Sequence, residues 1–243
     1  MKKFLTVVLA VLAVSLSLSA ADFYVKAKNH SDPVTMMGQT QPATDTISET
    51  WISDNMVAMK TGDTGMIIDL NKKMYYMVNY GDKSYVETTL PLDLAKILPP
   101  EASAMMGMMT MTATVTPTAE TKKIGQWNCK GYDMTVSIMG MPMKTKVWAS
   151  TDVPFDTAKF AEKFMGVLAK GQMRLDDASL KELLKIKGYQ IATEMDAEMM
   201  GARIKATMEV VEISQKNAPA GTYAVPAGFK KNATMSMADL QRR

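Results

Sequence analysis

Methionine is the residue type whose number and spacing could do chemistry in this chain. The sequence contains 25 methionines, concentrated in short runs. Thioether side chains are flexible and polarisable, so a surface built from them can repack around apolar ligands of differing shape. We therefore predict a hydrophobic binding site lined by Met105, Met106, Met108, Met109, Met111, Met134, Met139, Met141, Met143, Met199, Met200 and Met208. The alternative is that methionine simply replaces leucine and isoleucine in an ordinary core.

A metal site is the second chemical interpretation of the same side chains. Thioether sulfur is a soft ligand that suits Cu(I), and clustered methionines can hold copper without histidine or cysteine. The alternative copper site consists of Met105, Met106, Met108, Met109 and Met111. The alternating methionines at 139–143 would share one side of a strand, but Gly140 and Pro142 favour a turn there.

The sequence contains few other residues or motifs that could do chemistry. Cys129 and His30 are the single cysteine and the single histidine, so the chain forms no intramolecular disulfide, and we expect Cys129 to be a small buried apolar residue. No dinucleotide, phosphate-loop or nucleophile-elbow motif is present. Two suitably spaced carboxylates remain the enzymatic alternative, because a sequence does not show their separation in space. We expect a non-catalytic protein without a cofactor.

The first residues have the pattern of a secretory signal peptide. Lys2 and Lys3 precede an apolar run at 4–18, and Ser19, Ala20 and Ala21 are small residues suited to cleavage after Ala21. The run is shorter than a bilayer-spanning helix, and no later segment resembles one. We predict a signal peptide at 1–21 and a soluble, exported or periplasmic chain at 22–243 that forms one domain.

Charge argues against a nucleic-acid partner. The sequence has 28 basic and 25 acidic residues, and loss of Lys2 and Lys3 with the leader leaves 26 against 25. A nearly neutral chain lacks the clustered positive charge that nucleic-acid binding needs. We expect the partner to be a lipid or another hydrophobic small molecule, with an envelope protein as a further candidate.

The first half of the mature chain predicts an antiparallel meander. A short strand at 23–28 is followed by a polar stretch at 35–46 that we interpret as a loop. Turn residues at hairpin spacing separate five further strands, at 48–53, 55–60, 66–70, 73–79 and 83–89. A short helix is predicted at 91–98, and residues 101–109 show no clear period.

The second half adds a strand, two hairpins and two helices. Threonine alternates with apolar residues at 110–116, which indicates a half-buried strand. The hairpin strands are predicted at 131–138 and 144–150, and at 190–195 and 203–214.

The two helices lie between these hairpins. Asp156 can cap the first, Phe155 can pack on Phe160, and one face of the helix is apolar. A second helix is predicted at 178–187, with Gly188 placed to end it.

Six sequence blocks together resemble the exported bacterial family called domain of unknown function 4412. They are ETWI at 49–52, MIIDLNKKMY at 66–75, KSYVE at 83–87, KIGQWNCKGY at 123–132, VWAS at 147–150 and VPAGFKK at 225–231. Members of this family resemble, at fold level, the periplasmic lipoprotein carriers of the LolA and LolB type. The resemblance implies a concave apolar cavity for acyl chains and no catalytic residue.

We therefore expect a mainly β (α+β) fold: an open, curved antiparallel β-barrel or half-barrel with two or three helices packed on its concave side. The expected function is non-catalytic binding of a lipid or acylated peptide in a methionine-lined cavity. A copper-binding protein and an envelope interaction or sensor module are the alternatives.

Overall fold

The computed structural model describes residues 22–36, 38–108, 111–168, 171, 175–199 and 201–236. For residues 36, 105–108 and 199 it describes the backbone alone. The predicted signal peptide at 1–21 lies outside these ranges. Within the described part of the chain, no helix is long and apolar enough to cross a bilayer.

A curved sheet of twelve strands forms the body of the protein. In chain order its strands are β1 (Phe23–Ser31), β4 (Thr44–Ile52), β5 (Met56–Thr61), β6 (Thr64–Asp69), β7 (Met74–Asn79), β8 (Ser84–Thr89), β9 (Met111–Ile124), β10 (Trp127–Ile138), β11 (Met141–Ser150), β12 (Tyr189–Met199), β13 (Ala202–Gln215) and β14 (Lys230–Lys231). The short strands β2 (Val34–Met36) and β3 (Gln39–Gln41) pair only with each other.

The strand order shows two meanders joined at the centre. It runs β14-β8-β7-β6-β5-β4-β1-β13-β12-β11-β10-β9, with every pair antiparallel except β14 with β8. β1 pairs with both β4 and β13 and so connects the two halves. The edge strands β9 and β14 do not pair with each other, and the sheet stays open. The predicted fold class and the predicted first meander are confirmed.

Three short helices cover one face of the sheet. They are α1 (Pro100–Met108), α2 (Thr157–Phe160) and α3 (Asp177–Leu183). α2 continues as a π-helical turn over Ala161–Met165, and we call residues 157–168 the α2 segment. The main core lies between the helices and the sheet and contains Ile68, Tyr75, Phe164 and Ile191.

The start of the α2 segment follows the sequence prediction. The side chain of Asp156 accepts hydrogen bonds from the backbone N–H groups of Ala158 and Lys159, both at 3.0 Å. The rings of Phe155 and Phe160 lie 6.0 Å apart, as expected of a hydrophobic staple. These local interactions fix where the segment begins, because they satisfy N–H groups that the first helical turn leaves free.

The second helix ends earlier than predicted. α3 stops at Leu183, and a turn leads on to Gly188. Gly188 therefore does not end the helix. It has a φ of +103°, and a Cβ there would lie 2.4 Å from the carbonyl carbon and oxygen of Ser150. The glycine is needed where the chain passes against the end of β11.

Other predicted boundaries also need correction. The loop predicted at 35–46 contains β3 and the start of β4, because β4 continues until Thr44 pairs with Ser31. The helix predicted at 91–98 is only a 3₁₀ turn over Leu94–Lys96, and the undecided residues 101–109 largely form α1. β9 runs on to Ile124, past Pro117, which an edge strand tolerates.

The C-terminal segment packs on both faces of the sheet. Tyr223, Val225 and Phe229 contact a cluster on the face opposite the helices. β14 then pairs with the edge strand β8, and Met235 reaches the main core, where its N–H donates to the carbonyl of Ile97 at 2.7 Å. This path protects the exposed edge of β8.

The other edge is protected by helix α3. The N–H of Ala113 donates to Ser179 Oγ at 3.0 Å, and the N–H of Val115 donates to Glu182 Oε2 at 3.0 Å. Ser179 is itself buried. Side chains of the helix thus take the place of a neighbouring strand along this part of β9.

We expect Ser179→Ala to lower the free energy of unfolding by about 1–3 kcal/mol, because the buried N–H of Ala113 loses its acceptor. Urea unfolding followed by circular dichroism measures this change. Lys181→Ala is the matched control, since Lys181 is exposed on the same helix, and should change stability by about 0.5 kcal/mol or less. Equal stability of the two variants would contradict the role of Ser179.

Candidate functional site

A cavity of about 420 Å³ lies between the concave face of the sheet and the α2 segment. Its size is within the range of small-molecule sites, about 300–1,000 Å³. The lining residues come from five strands, the α2 segment, the end of α3 and the turn that follows α3: Val25, Ala27, Asn29, Ser48, Thr50, Met59, Thr157, Phe160, Ala161, Met165, Leu168, Leu183, Leu184, Ile186, Gly188, Tyr189, Gln190, Met208 and Val210.

The alternation of side chains along each strand determines which residues form the floor of the cavity. Val25, Ala27 and Asn29 are two residues apart on β1, so their side chains share one face. On β4, Thr50 lies opposite Val25 and Ser48 opposite Ala27. On β13, Val210 lies opposite Ala27 and Met208 lies opposite Asn29. On β5, Met59 lies opposite Thr50. These three side chains face the cavity as well. The sheet register alone therefore brings these side chains together.

The α2 segment forms the roof. Phe160, Ala161, Met165 and Leu168 follow helical spacing and face the sheet. The Phe160 ring packs 5.4 Å from Phe164 and 5.8 Å from Tyr189, measured between ring centroids. This aromatic cluster holds the roof away from the floor at one end, where Phe164 belongs to the core.

Two side chains at the cavity are apolar yet exposed. Met59 on β5 and Leu184 after α3 have 38% and 40% of their surfaces accessible to solvent. Exposed apolar surface costs about 25 cal/mol per Å² relative to burial. A hydrophobic molecule that covered these side chains would recover that free energy.

The polar groups of the cavity lining are uncharged. Asn29 Nδ2 donates to Ser48 Oγ at 3.2 Å, and Thr50 and Gln190 add a hydroxyl and an amide. Burial raises the pKa of the Tyr189 hydroxyl to about 12, so it stays protonated at physiological pH. Among the described lining residues there is no carboxylate, ammonium, guanidinium or imidazole group.

A smaller cavity of about 210 Å³ shares Phe160 with the first. It contains the charged residues Asp54, Asp156, Lys159 and Lys163. Lys163 Nζ donates to the carbonyl of Asp54 at 2.6 Å and to Asn55 Oδ1 at 3.0 Å, and Lys159 Nζ lies 3.8 Å from Asp54 Oδ1. Two carboxylates balance the two ammonium groups in this cavity.

The methionines that were predicted to line the binding site lie in several different environments. Of the candidate set, Met208 lines the main cavity. Met111 and Met134 pack on a separate core cluster beneath α3, while Met139 is 59% exposed in the turn between β10 and β11. The backbone, but not the side chain, is described for Met105, Met106, Met108 and Met199, and Met109 and Met200 lie outside the described residues.

The alternating methionines of the β10–β11 hairpin do not share one strand. Met139 and Gly140 both have positive φ and form the turn, and β11 begins at Met141. Met141 and Met143 lie on one face of β11, whereas Met139 lies outside it. The predicted turn is thus present, and it removes one methionine from the alternation. Copper binding by residues 105–111 stays a prediction.

Two further methionines, Met59 and Met165, line the cavity and were missed by sequence reasoning. Met165 follows Phe160 and Phe164 on an apolar helical face, so its direction could have been inferred from spacing. The position of Met59 depends on the pairing of Met59 with Thr50, which sequence spacing does not show.

Cys129 is a buried, apolar residue, as predicted. Its thiol contacts the carbonyl of Trp127 at 3.7 Å, and burial raises the pKa of the thiol. A raised pKa keeps sulfur in the unreactive thiol form at neutral pH. Within the described residues, no group of three or more histidine, cysteine or acidic side chains could hold a metal ion.

His30 links β1 to β4 at one end of the sheet. Its Nδ1 lies 2.8 Å from Asp45 Oδ1, and its Nε2 lies 3.1 Å from Asp32 Oδ1. The protonated ring can donate to both carboxylates, and these hydrogen bonds, first to Asp45 and then to Asp32, raise the pKa of His30 above its ordinary value of 6.5.

We expect this interaction to stabilise the protein at low pH. Because the folded state raises the pKa, the contribution is fully present below the unfolded pKa and is lost as pH rises through the folded pKa. The stability difference between the wild type and His30→Gln, measured by urea unfolding, should be larger at about pH 5.5 than at about pH 8.5. A difference that is equal at both pH values, or larger at the higher one, would contradict it.

Comparisons with known proteins give a family but no activity. The family model described as Domain of unknown function (DUF4412) matches residues 34–229. No curated protein matches the sequence significantly. The structure of PNGF-II in a C2 space group is similar over 92% of this chain, with 12% identity and a TM-score of 0.41. This chain spans 32% of that protein's chain. The likeness to the LolA and LolB carriers stays a prediction.

Proposed function

Because this chain belongs to the DUF4412 family, whose description states no activity, we propose its function from its cavity: it is an exported, non-catalytic protein that binds a hydrophobic ligand. The ligand lies between the concave face of the sheet and the α2 segment. A lipid or an acylated peptide has the required apolar character.

The main cavity is the observation that supports this proposal. Ligand sites are typically concave, mostly apolar pockets of a few hundred cubic ångströms that carry a few polar groups. Here about 420 Å³ is left open beneath the α2 segment, with aliphatic, thioether and aromatic groups around it. The exposed side chains of Met59 and Leu184 offer further apolar contact at the same place. These features suit a molecule that is itself mostly hydrocarbon.

The methionines contribute to this cavity in a smaller number than the sequence suggests. Met59, Met165 and Met208 line it, one from each of β5, the α2 segment and β13. Since the three side chains approach from different sides, rotation about their flexible bonds could adapt the cavity to ligands of differing shape. The proposal is therefore a cavity with three methionines, whose other apolar walls come from leucine, isoleucine, valine, alanine and phenylalanine side chains.

Two measurements on the purified protein test the proposal. Titration with the uncharged fluorophore N-phenyl-1-naphthylamine should give a saturable rise in fluorescence with about one probe per chain. Mass spectrometry of an organic extract should find a co-purified hydrophobic molecule in stoichiometric amount. Protein that carries no such molecule and also fails to bind the fluorophore would refute the function.

A further inference from the structure

We propose that the ligand is an amphiphile whose polar end is uncharged, an ester or amide of a long-chain acyl group, held at a polar wall formed by Asn29, Ser48 and Thr50. This inference rests on the proposed function and specifies its ligand class. It selects against free fatty acids, whose carboxylate is ionised at neutral pH.

The wall is a continuous polar part of an otherwise apolar floor. Ser48 and Thr50 are two residues apart on β4, and Asn29 is on the neighbouring β1. Ser48 Oγ accepts from Asn29 Nδ2, which fixes the orientation of the Asn29 amide. All three side chains line the main cavity, facing the apolar side chains of the α2 segment.

The wall retains hydrogen-bonding capacity for a ligand. Within the described residues, neither the Thr50 hydroxyl nor Asn29 Oδ1 takes part in a side-chain hydrogen bond. The hydroxyl can donate to a carbonyl oxygen, and Asn29 Oδ1 can accept from an amide N–H or a hydroxyl. An ester, an amide or a glycerol group supplies these partners, and the attached acyl chain would extend beneath Phe160 and Leu168.

An ionised carboxylate lacks a partner at the same wall. None of the described residues that line the cavity carries a positive charge. Moving a carboxylate from water to such a place costs free energy that neutral hydrogen-bond donors do not fully recover. An uncharged ester or amide loses much less on transfer, so the lining favours the neutral ligand.

The smaller, charged cavity next to Phe160 does not change this conclusion. Lys159 and Lys163 line the smaller cavity on the other side of Phe160, but each already has an oxygen partner, at Asp54 for Lys159 and at Asp54 and Asn55 for Lys163. Asp54 and Asp156 add negative charge there. A carboxylate entering that cavity would have to displace these interactions.

Competition with bound N-phenyl-1-naphthylamine tests the inference on the full chain at a pH of about 8, with two competitors of equal chain length. We expect 1-dodecanoylglycerol to bind at least about tenfold more tightly than dodecanoate. Thr50→Val preserves the side-chain shape but removes the hydroxyl, and should weaken binding of the ester about three- to tenfold. Thr50→Lys should improve binding of dodecanoate relative to the ester.

Several results would overturn the inference. One is that the wild type binds dodecanoate as tightly as the ester or more tightly, and another is that Thr50→Val binds the ester as well as the wild type does. Loss of dodecanoate binding in Lys163→Gln would also overturn it, because that result would place the acid in the smaller cavity. In each case, a fluorophore that still binds the wild type leaves the proposed function intact. If the fluorophore itself does not bind, the proposed function fails first.

Discussion

An Ala161→Trp variant should bind an apolar fluorophore about tenfold or more weakly than the wild type, which corresponds to a loss of about 1.4 kcal/mol or more in binding free energy. Ala161 lies in the roof of the main cavity, in the π-helical turn of the α2 segment. An indole ring at this position would occupy space that the ligand needs. Because the cavity is empty of protein atoms, the larger side chain can enter it without displacing the core.

Ala158→Trp is the matched control for this variant. Ala158 is exposed on the same segment, three residues earlier, and does not line the cavity. Both variants should keep the circular dichroism spectrum of the wild type, and only Ala161→Trp should lose affinity. Equal affinities in the two variants would show that the fluorophore binds elsewhere.

A Phe164→Ala variant should lose about 3–5 kcal/mol of unfolding free energy, the largest change in stability that we expect from a single substitution. Phe164 is 1% exposed and joins the α2 segment to the main core. Its removal leaves a void beneath a segment that is too short to be stable as an isolated helix. Fluorophore binding should weaken as well, since the roof of the cavity loses its anchor.

Denaturant titration measures this effect, and two comparisons define its cause. Phe164→Leu keeps much of the buried apolar surface and should lose less than half as much stability. Glu162→Ala lies two residues away on the exposed side of the same segment and should have little effect. A loss below about 1 kcal/mol in Phe164→Ala would mean that the α2 segment is held by other contacts.

Local sequence signals predicted much of this fold. The turn residues between β4, β5, β6, β7 and β8 gave the first meander, because closely spaced strands with short turns pair with their neighbours. Asp156 and Phe155 likewise marked the start of the α2 segment through contacts only a few residues apart. In both cases the interactions that decide the structure lie close together in the sequence.

Features set by distant parts of the chain were missed or misinterpreted. Gly188 resembled a helix end, but the backbone of Ser150 requires the glycine. Met59 and Met134 both occupy strands, yet only Met59 faces the main cavity, while Met134 packs on the cluster beneath α3. That difference depends on which part of the sheet each helix covers. The spacing of methionines in the sequence does not show where a helix packs on the sheet.

The most direct test of a ligand site between the sheet and the α2 segment is an NMR titration of protein labelled with ¹³C at the methionine methyl groups. On addition of an apolar ligand, the methyl resonances of Met59, Met165 and Met208 should shift together with one saturation curve. Those of Met134 and Met139 should stay unchanged, because these residues lie in another core cluster and in an exposed turn. Shifts confined to Met134 and Met139, with Met165 and Met208 unaffected, would contradict the account.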